Sequence, residues 1–191
     1  MPTITTTDAA GNSASASDTE SYTVDASTPS VAVAIVDASL NLADTQSQVT
    51  FTFSEAPLGF DAADISVSGG SLSGFTPTAN PLVYTATFTA TAGLTGSGTV
   101  SVTAGSYTNA AGNPGTAGGD TVAIDTVPPA PTITLATNIT ADDIVNSAEA
   151  AGSITLTGVV GGDARAGDTV SLLVNGTSYT GLVAADLSFA I

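Results

Sequence analysis

The stretch Ser47–Glu55, SQVTFTFSE, decides the fold: Val49, Phe51 and Phe53 alternate with Gln48, Thr50 and Thr52, so every second side chain is apolar. In an extended chain successive side chains point to opposite faces, and this alternation turns one apolar face toward a core. Working outward, the same period of two recurs as Val31, Val33 and Ile35 in SVAVAIVD, Ile65 and Val67 in DISVSG, and Tyr84 and Phe88 in LVYTATFTA. It continues as Val100 and Val102 in GTVSVTAG and as Val122 and Ile124 in DTVAID. Thr and Ser fill most outward positions, which suits a half-buried pleated surface. Clusters of Gly, Asn, Asp and Pro punctuate the runs, and no segment has a convincing helical period. The chain reads as all-β.

A repeat sets the size of its modules. DAAGN at 8–12 leads to Asp25 and Pro29, and NAAGN at 109–113 leads to Asp125 and Pro129. The spacing is about one hundred residues, and about seven short strands fit in that length, the pattern of an Ig-like sandwich. The expected architecture is therefore tandem Ig-like β-sandwich modules joined by short Pro-containing linkers. Residues 1–25 read as the C-terminal strands of a preceding module, ITTT and SYTVD around the DAAGN loop. Residues 26–125 read as a complete module. Residues 126–191 read as a module truncated at its C-terminal end, with strands in ITLA, SITLTG, TVSLLVNG, TSYTGLV and LSFAI. Between the last two, Pro128, Pro129 and Pro131 stiffen the connection and keep it from pairing as an interior strand. Each end of the chain leaves an unpaired sheet edge. Head-to-tail strand exchange between chains is one expectation from this, and an arbitrary fragment boundary is the other.

Charge narrows the partners. Seventeen Asp and Glu stand against one basic residue, Arg165, for a formal net charge of −16. Almost no carboxylate can find an internal salt-bridge partner, so the neutralising charge must come from solution. A nucleic-acid backbone is excluded as a partner, because such binding needs Lys and Arg to displace counter-ions. An anionic membrane surface is disfavoured for the same reason, and no apolar run approaches the length of a membrane span, so direct insertion is not expected. Apolar residues nevertheless make up 42% of the chain and charged ones 9%, enough to build a core rather than a disordered tail. The chain has no Cys and no His, which removes disulfides and thiolate or imidazole metal sites together. No secretory signal is legible, so export would rely on a signal outside these residues.

Ig-like connectivity places the carboxylates. The loop SEAPLGFDAAD, the NAAGN turn, Asp120 and the linker with Asp25 are expected at the entrance of the complete module. That gathers Asp25, Glu55, Asp61, Asp64 and Asp120 with Asn109 and Asn113. The opposite pole collects Asp37, Asn41 and Asp44 of DASLNLAD with Asp125 of the exit linker, and GGDARAGD of the next module brings Asp163 and Asp168 to the same junction. Bare carboxylates at such ends repel one another, and a hard divalent cation resolves the repulsion. Calcium fits better than magnesium, because it takes six to eight oxygens in flexible geometry while magnesium keeps a tight, hydrated octahedron. DAAGN and NAAGN are also good turns with no metal, since Asp or Asn bonds its own main chain and Gly takes the positive φ. Asp142, Asp143, Asn146 and Glu149 read equally as a solvated turn. No EF-hand or RTX nonapeptide pattern is present.

The residues carry a resemblance. VTFTFSEAPLGFDAADISVSGGSLSGF, YTATFTA, GTVSVTAGSYTNAAGNPG and DTVAIDTVPP resemble the bacterial Ig-like repeats of giant RTX biofilm adhesins, and residues 139–191 resemble a second repeat type of the same proteins. The resemblance implies a calcium-rigidified extender between a membrane-retained region and a distal adhesive tip, exported by type I secretion to the bacterial cell surface. Its partners would be the neighbouring modules of the same polypeptide. Asn109 stands where the other copy has Asp8, a departure that bears on its role as a ligand. Two other classes compete. An enzyme would need a carboxylate of raised pKa in a sizeable pocket, and no His, Lys or Cys is present to serve as base or nucleophile. A calcium-dependent carbohydrate- or ligand-binding module would need an aromatic platform, for which Tyr22 and Tyr107 are the tyrosines nearest to loops. The expectation is a structural, non-enzymatic extender.

Overall fold

A computed structural model describes residues 1–191, and in it the alternating runs fold as strands. The chain divides into two units, Met1–Thr126 and Val127–Ile191. The first begins with a hairpin of β1 (Thr3–Thr7) and β2 (Ser13–Ser17) around the DAAGN turn. The sandwich follows: β3 (Val31–Ile35), β4 (Ser39–Asn41), β5 (Gln46–Phe53), β6 (Ile65–Ser68), β7 (Gly70–Pro77), β8 (Val83–Ala90), β9 (Thr95–Val102) and β10 (Gly118–Asp125). One sheet has the order β3-β5-β8-β7 and the other β4-β10-β9-β6. All neighbours pair antiparallel except β10 and β4, which run parallel with Asp125 opposite Asn41.

The alternation read from the sequence is the burial pattern of the sandwich. Val49, Phe51 and Phe53 of β5, Phe88 of β8, Val100 and Val102 of β9, and Val122 and Ile124 of β10 all point into one core. Burying a side chain of this size contributes roughly 1.5–3 kcal/mol each. Six aromatic rings close one end of that core: Phe60, from the loop after β5, lies 4.8 Å from Phe53, 5.8 Å from Phe51 and 5.3 Å from Tyr84, all tilted or edge-on. Phe75 stacks on Tyr84, and Tyr107 meets Phe53 edge-on at 5.0 Å. Two glycines make this packing possible. A Cβ on Gly98 would collide with the Phe88 ring, and one on Gly115 would collide with the ring of Tyr107.

Three elements depart from the sequence reading. SYTVD forms no strand, and its apolar members Tyr22 and Val24 are 85% and 74% exposed. Alternation gives an extended preference but no partner, and no strand of the chain lies beside this one; DAAGN closes on SASAS of β2 instead. β4 is only three residues long, too short to show a period. β7 is interrupted by an irregularity between Ser73 and Thr76, where Gly74 takes φ +62°, and its mixed composition hides it from a search for alternation.

The second unit comprises β11 (Pro131–Leu135), β12 (Thr157–Gly162), β13 (Thr169–Val174), β14 (Thr177–Leu182) and β15 (Ser188–Ala190). They form a sheet β11-β12-β15 and a hairpin β13-β14. Only Val183 and Phe189 of its apolar side chains are buried. Between its sheet and its hairpin an open groove of about 760 Å³ is lined by Leu135, Ile139, Ile154, Leu172, Val174 and Tyr179 among others, with no Asp or Glu in its wall. SITLTG enters strand pairing only at Thr157, and TADDIVNSAEA lies in turns.

Candidate functional site

The features that depart most from a plain sandwich are the buried polar side chains where the chain enters and leaves it. Asn109, at the head of the NAAGN turn, is 1% exposed. Its Oδ1 accepts the N–H groups of Ala111 at 3.1 Å and Asn113 at 2.9 Å, and Gly112 closes the turn at φ +84°. Its Nδ2 is aimed at three oxygens: Glu55 Oε2 at 2.9 Å, the Ser27 carbonyl at 3.2 Å and Asp25 Oδ2 at 3.4 Å. Asn113 adds a bond from its Nδ2 to the Asp25 carbonyl at 3.0 Å. Nearby, the buried Tyr107 hydroxyl donates to the carbonyls of Thr116 at 3.0 Å and Pro29 at 3.3 Å, while the Thr116 N–H also reaches the Pro29 carbonyl. Residues 25–29 are thereby fastened to the loop between β9 and β10. The Asp25 carboxyl is held below its ordinary pKa, first by the Ser27 hydroxyl and then by the Ser27 N–H, with desolvation opposing.

The exit is fastened by Thr126, also 1% exposed. Its hydroxyl donates to the Thr91 carbonyl at 2.7 Å and accepts the Leu94 N–H at 3.0 Å, and its own N–H donates to the Leu94 carbonyl. Asp125, one residue earlier, accepts from Thr95 Oγ1 at 3.0 Å. No buried side-chain nitrogen or oxygen in the chain lacks a partner.

The carboxylates expected at the entrance separate into different tasks. Asp25 and Glu55 do meet, around Asn109. Asp61 and Asp64 form a reciprocal cap on the short 3₁₀ helix Ala62–Asp64, each accepting a backbone N–H. Asp120 lies within β10 and its Oδ2 accepts the Ile35 N–H at 2.8 Å, tying the two sheets together. At the other end Asp37 and Asp44 flank the Asn41 turn, where Asn41 Oδ1 accepts from Ala43 and Asp44. In the second unit Asp163 Oδ2 accepts the Ala130 N–H and Asp168 Oδ2 the Arg165 N–H. Nowhere do three or more Asp and Glu side chains come together as a metal cage.

A calcium ion, implied by the resemblance, is therefore tested against the donors at the entrance. Two carboxylates and one carbonyl converge there, but the point of convergence is filled by the Asn109 amide nitrogen, and calcium wants six to eight oxygens. The entrance as built does not fit the ion. Tyr107, a candidate for a ligand platform, is 1% exposed and belongs to the core. Sequence reading missed Thr126 and Tyr107 as fastenings, because neither stands in a repeated pattern.

The bacterial Ig-like domain family matches residues 25–127. Among solved structures, the chain is similar to that of a 1.5-MDa bacterial ice-binding adhesin, from work on its retention at the host cell surface, with 30% identity and a TM-score of 0.51. That match covers 98% of this chain and 60% of the other, so the chain spans 60% of the length of the adhesin structure. The structure of the adhesin InvE of Yersinia pseudotuberculosis matches at 18% identity and a TM-score of 0.36, over 84% of this chain and 49% of that one. No curated protein matches the chain.

Proposed function

Because the chain belongs to the bacterial Ig-like domain family, we propose that it is a structural extender of a cell-surface adhesin, a run of modules that holds a distal adhesive region away from the cell for biofilm or surface attachment. The observation that carries this is the double fastening of the complete module. Residues 25–29 are tied in at one pole by Asn109, Asn113 and Tyr107, and residues 125 and 126 at the other by Thr95, Thr91 and Leu94. Between these ties the eight residues of β10 run the length of the sandwich, about 25 Å at the usual rise per residue. A module whose incoming and outgoing strands are pinned at opposite ends transmits direction along a string. One held by free linkers would not.

Calcium enters this reading as a counter-ion drawn to acidic module ends, not as an ion in a prebuilt cage. Extracellular modules bind it at roughly 10⁻⁴ to 10⁻³ M. With a net charge of −16, the chain is expected to be stiffer and more stable in millimolar calcium than in sodium chloride of equal ionic strength. Small-angle scattering tests both parts. A single globule of this length has a radius of gyration of about 16 Å, and an extender must exceed it. A value at or below that figure would refute the extender, and scattering and melting curves indifferent to calcium would remove the ion from it.

A further inference from the structure

We propose that the Asn109 amide takes the place of a cation at the entrance of this module, so that residues 25–29 are locked to the sandwich without metal. The comparison that carries this lies within the chain. Asp8 and Asn109 head the same turn: each accepts the N–H groups two and four residues on, and the turn glycines Gly11 and Gly112 both donate back to the residue that heads the turn. Asp8 is exposed and Asn109 buried, and the two side chains differ in their second branch. Asp8 Oδ2 is an oxygen and accepts from Asn12 Nδ2. In Asn109 the branch is a nitrogen, and it points at Glu55, Asp25 and Ser27.

The orientation of the Asn109 amide is fixed by chemistry. Its oxygen must face Ala111 N and Asn113 N, which can only donate, and its nitrogen must face three groups that can only accept. Two amide hydrogens are shared among three oxygens, two of them anionic. A carboxylate at position 109 would keep the turn but set a third anionic oxygen against Asp25 and Glu55, with no donor between them. At neutral pH that arrangement is relieved by a cation at its centre, the alternative being a proton held by one of the three carboxyls. The identity of one residue thus decides whether the module entrance closes by itself or waits for an ion. This inference is local to the sandwich and stands or falls separately from the extender reading.

The test is hydrogen exchange of residues 25–30 and 109–116 in the full chain, with chelator and with millimolar calcium, for the parent, Asn109→Asp and Asn109→Ala. The parent is expected to keep the protection of these residues relative to the core strands β5 and β8 when calcium is removed. Asn109→Asp is expected to exchange at least about tenfold faster in chelator, a change of 1.4 kcal/mol in opening, and to recover in calcium. Asn109→Ala should exchange faster in both. Adding Glu55→Gln to Asn109→Asp removes one anion and should relieve the chelator defect, which a purely steric effect would not show. Loss of protection in the parent on chelation at these residues, beyond any change in the core strands β5 and β8, would overturn the proposal. So would an Asn109→Asp variant that behaves like the parent in chelator, or one that calcium fails to restore.

Discussion

Replacing Tyr107 by Phe removes one oxygen from a side chain that is otherwise kept. The ring stays against Phe53 and over Gly115, so neither cavity nor clash is created. What is lost is the pair of bonds from the hydroxyl to the carbonyls of Thr116 at 3.0 Å and Pro29 at 3.3 Å. Pro29 keeps the Thr116 N–H at 2.9 Å, so the shorter bond carries most of the effect. At about 1 kcal/mol for a made bond, plus a fraction for the weaker one, the cost is about 1.5 kcal/mol. For a module of this size that lowers Tm by roughly 6–12 °C. A second signature comes from pH. Burial pushes the Tyr107 phenol above its ordinary value of 10.0. The folded state therefore favours the neutral form; its contribution is complete below the unfolded pKa and is lost as pH rises toward the folded one. The parent should lose stability above about pH 10 with a slope of up to ~1.4 kcal/mol per pH unit that the Phe variant lacks. Scanning calorimetry of the full chain between roughly pH 8 and 11 measures both. Equal Tm values at neutral pH, or the same alkaline slope in both proteins, would refute the reasoning.

Gly115→Ala should unfold the same region by a different route, because the added methyl must displace the Tyr107 ring; a loss of about 1–3 kcal/mol in urea titration is expected, more than Gly112→Ser at an open turn costs through its positive φ alone. Phe88→Ala empties the centre of the core and should cost roughly 3–5 kcal/mol, enough to leave the sandwich marginal at room temperature by circular dichroism. Asp120→Ala leaves the Ile35 N–H without its acceptor and should lower stability by about 1–3 kcal/mol, with Asn at the same position recovering part of it. Ser27→Ala removes the main cause of the depressed Asp25 pKa. Since that depression stabilises the fold above the unfolded value and is lost as pH falls through the folded one, the acid limb of the parent should flatten in the variant.

Period-two alternation made the core legible residue by residue, because burying one face of a strand is a local property of sequence. Val49, Phe51, Phe53, Val100, Val102, Val122 and Ile124 were all readable this way. Partners were not. SYTVD has the right alternation and no neighbour, and Asp120 serves the Ile35 backbone from within a strand, a pairing that only the packing of β10 against β3 creates. The candidate site was legible in part. The meeting of Asp25, Glu55 and Asn109 followed from loop placement, whereas Asp61 and Asp64 were absorbed by their own helix cap. Thr126 left no trace in the repeat, since Ala26 occupies the corresponding position.

The ties of the sandwich join parts of the chain that are far apart in order of synthesis: at the entrance Asn113 reaches Asp25 across 88 residues and Tyr107 reaches Pro29 across 78, and between the sheets Asp120 reaches Ile35 across 85. Contacts of such long range make folding slow, on the order of milliseconds to seconds, and leave little to form early. A chain emerging from one end cannot close the beginning of this module until its last strand is free. Its first tie and its last then form within the same event.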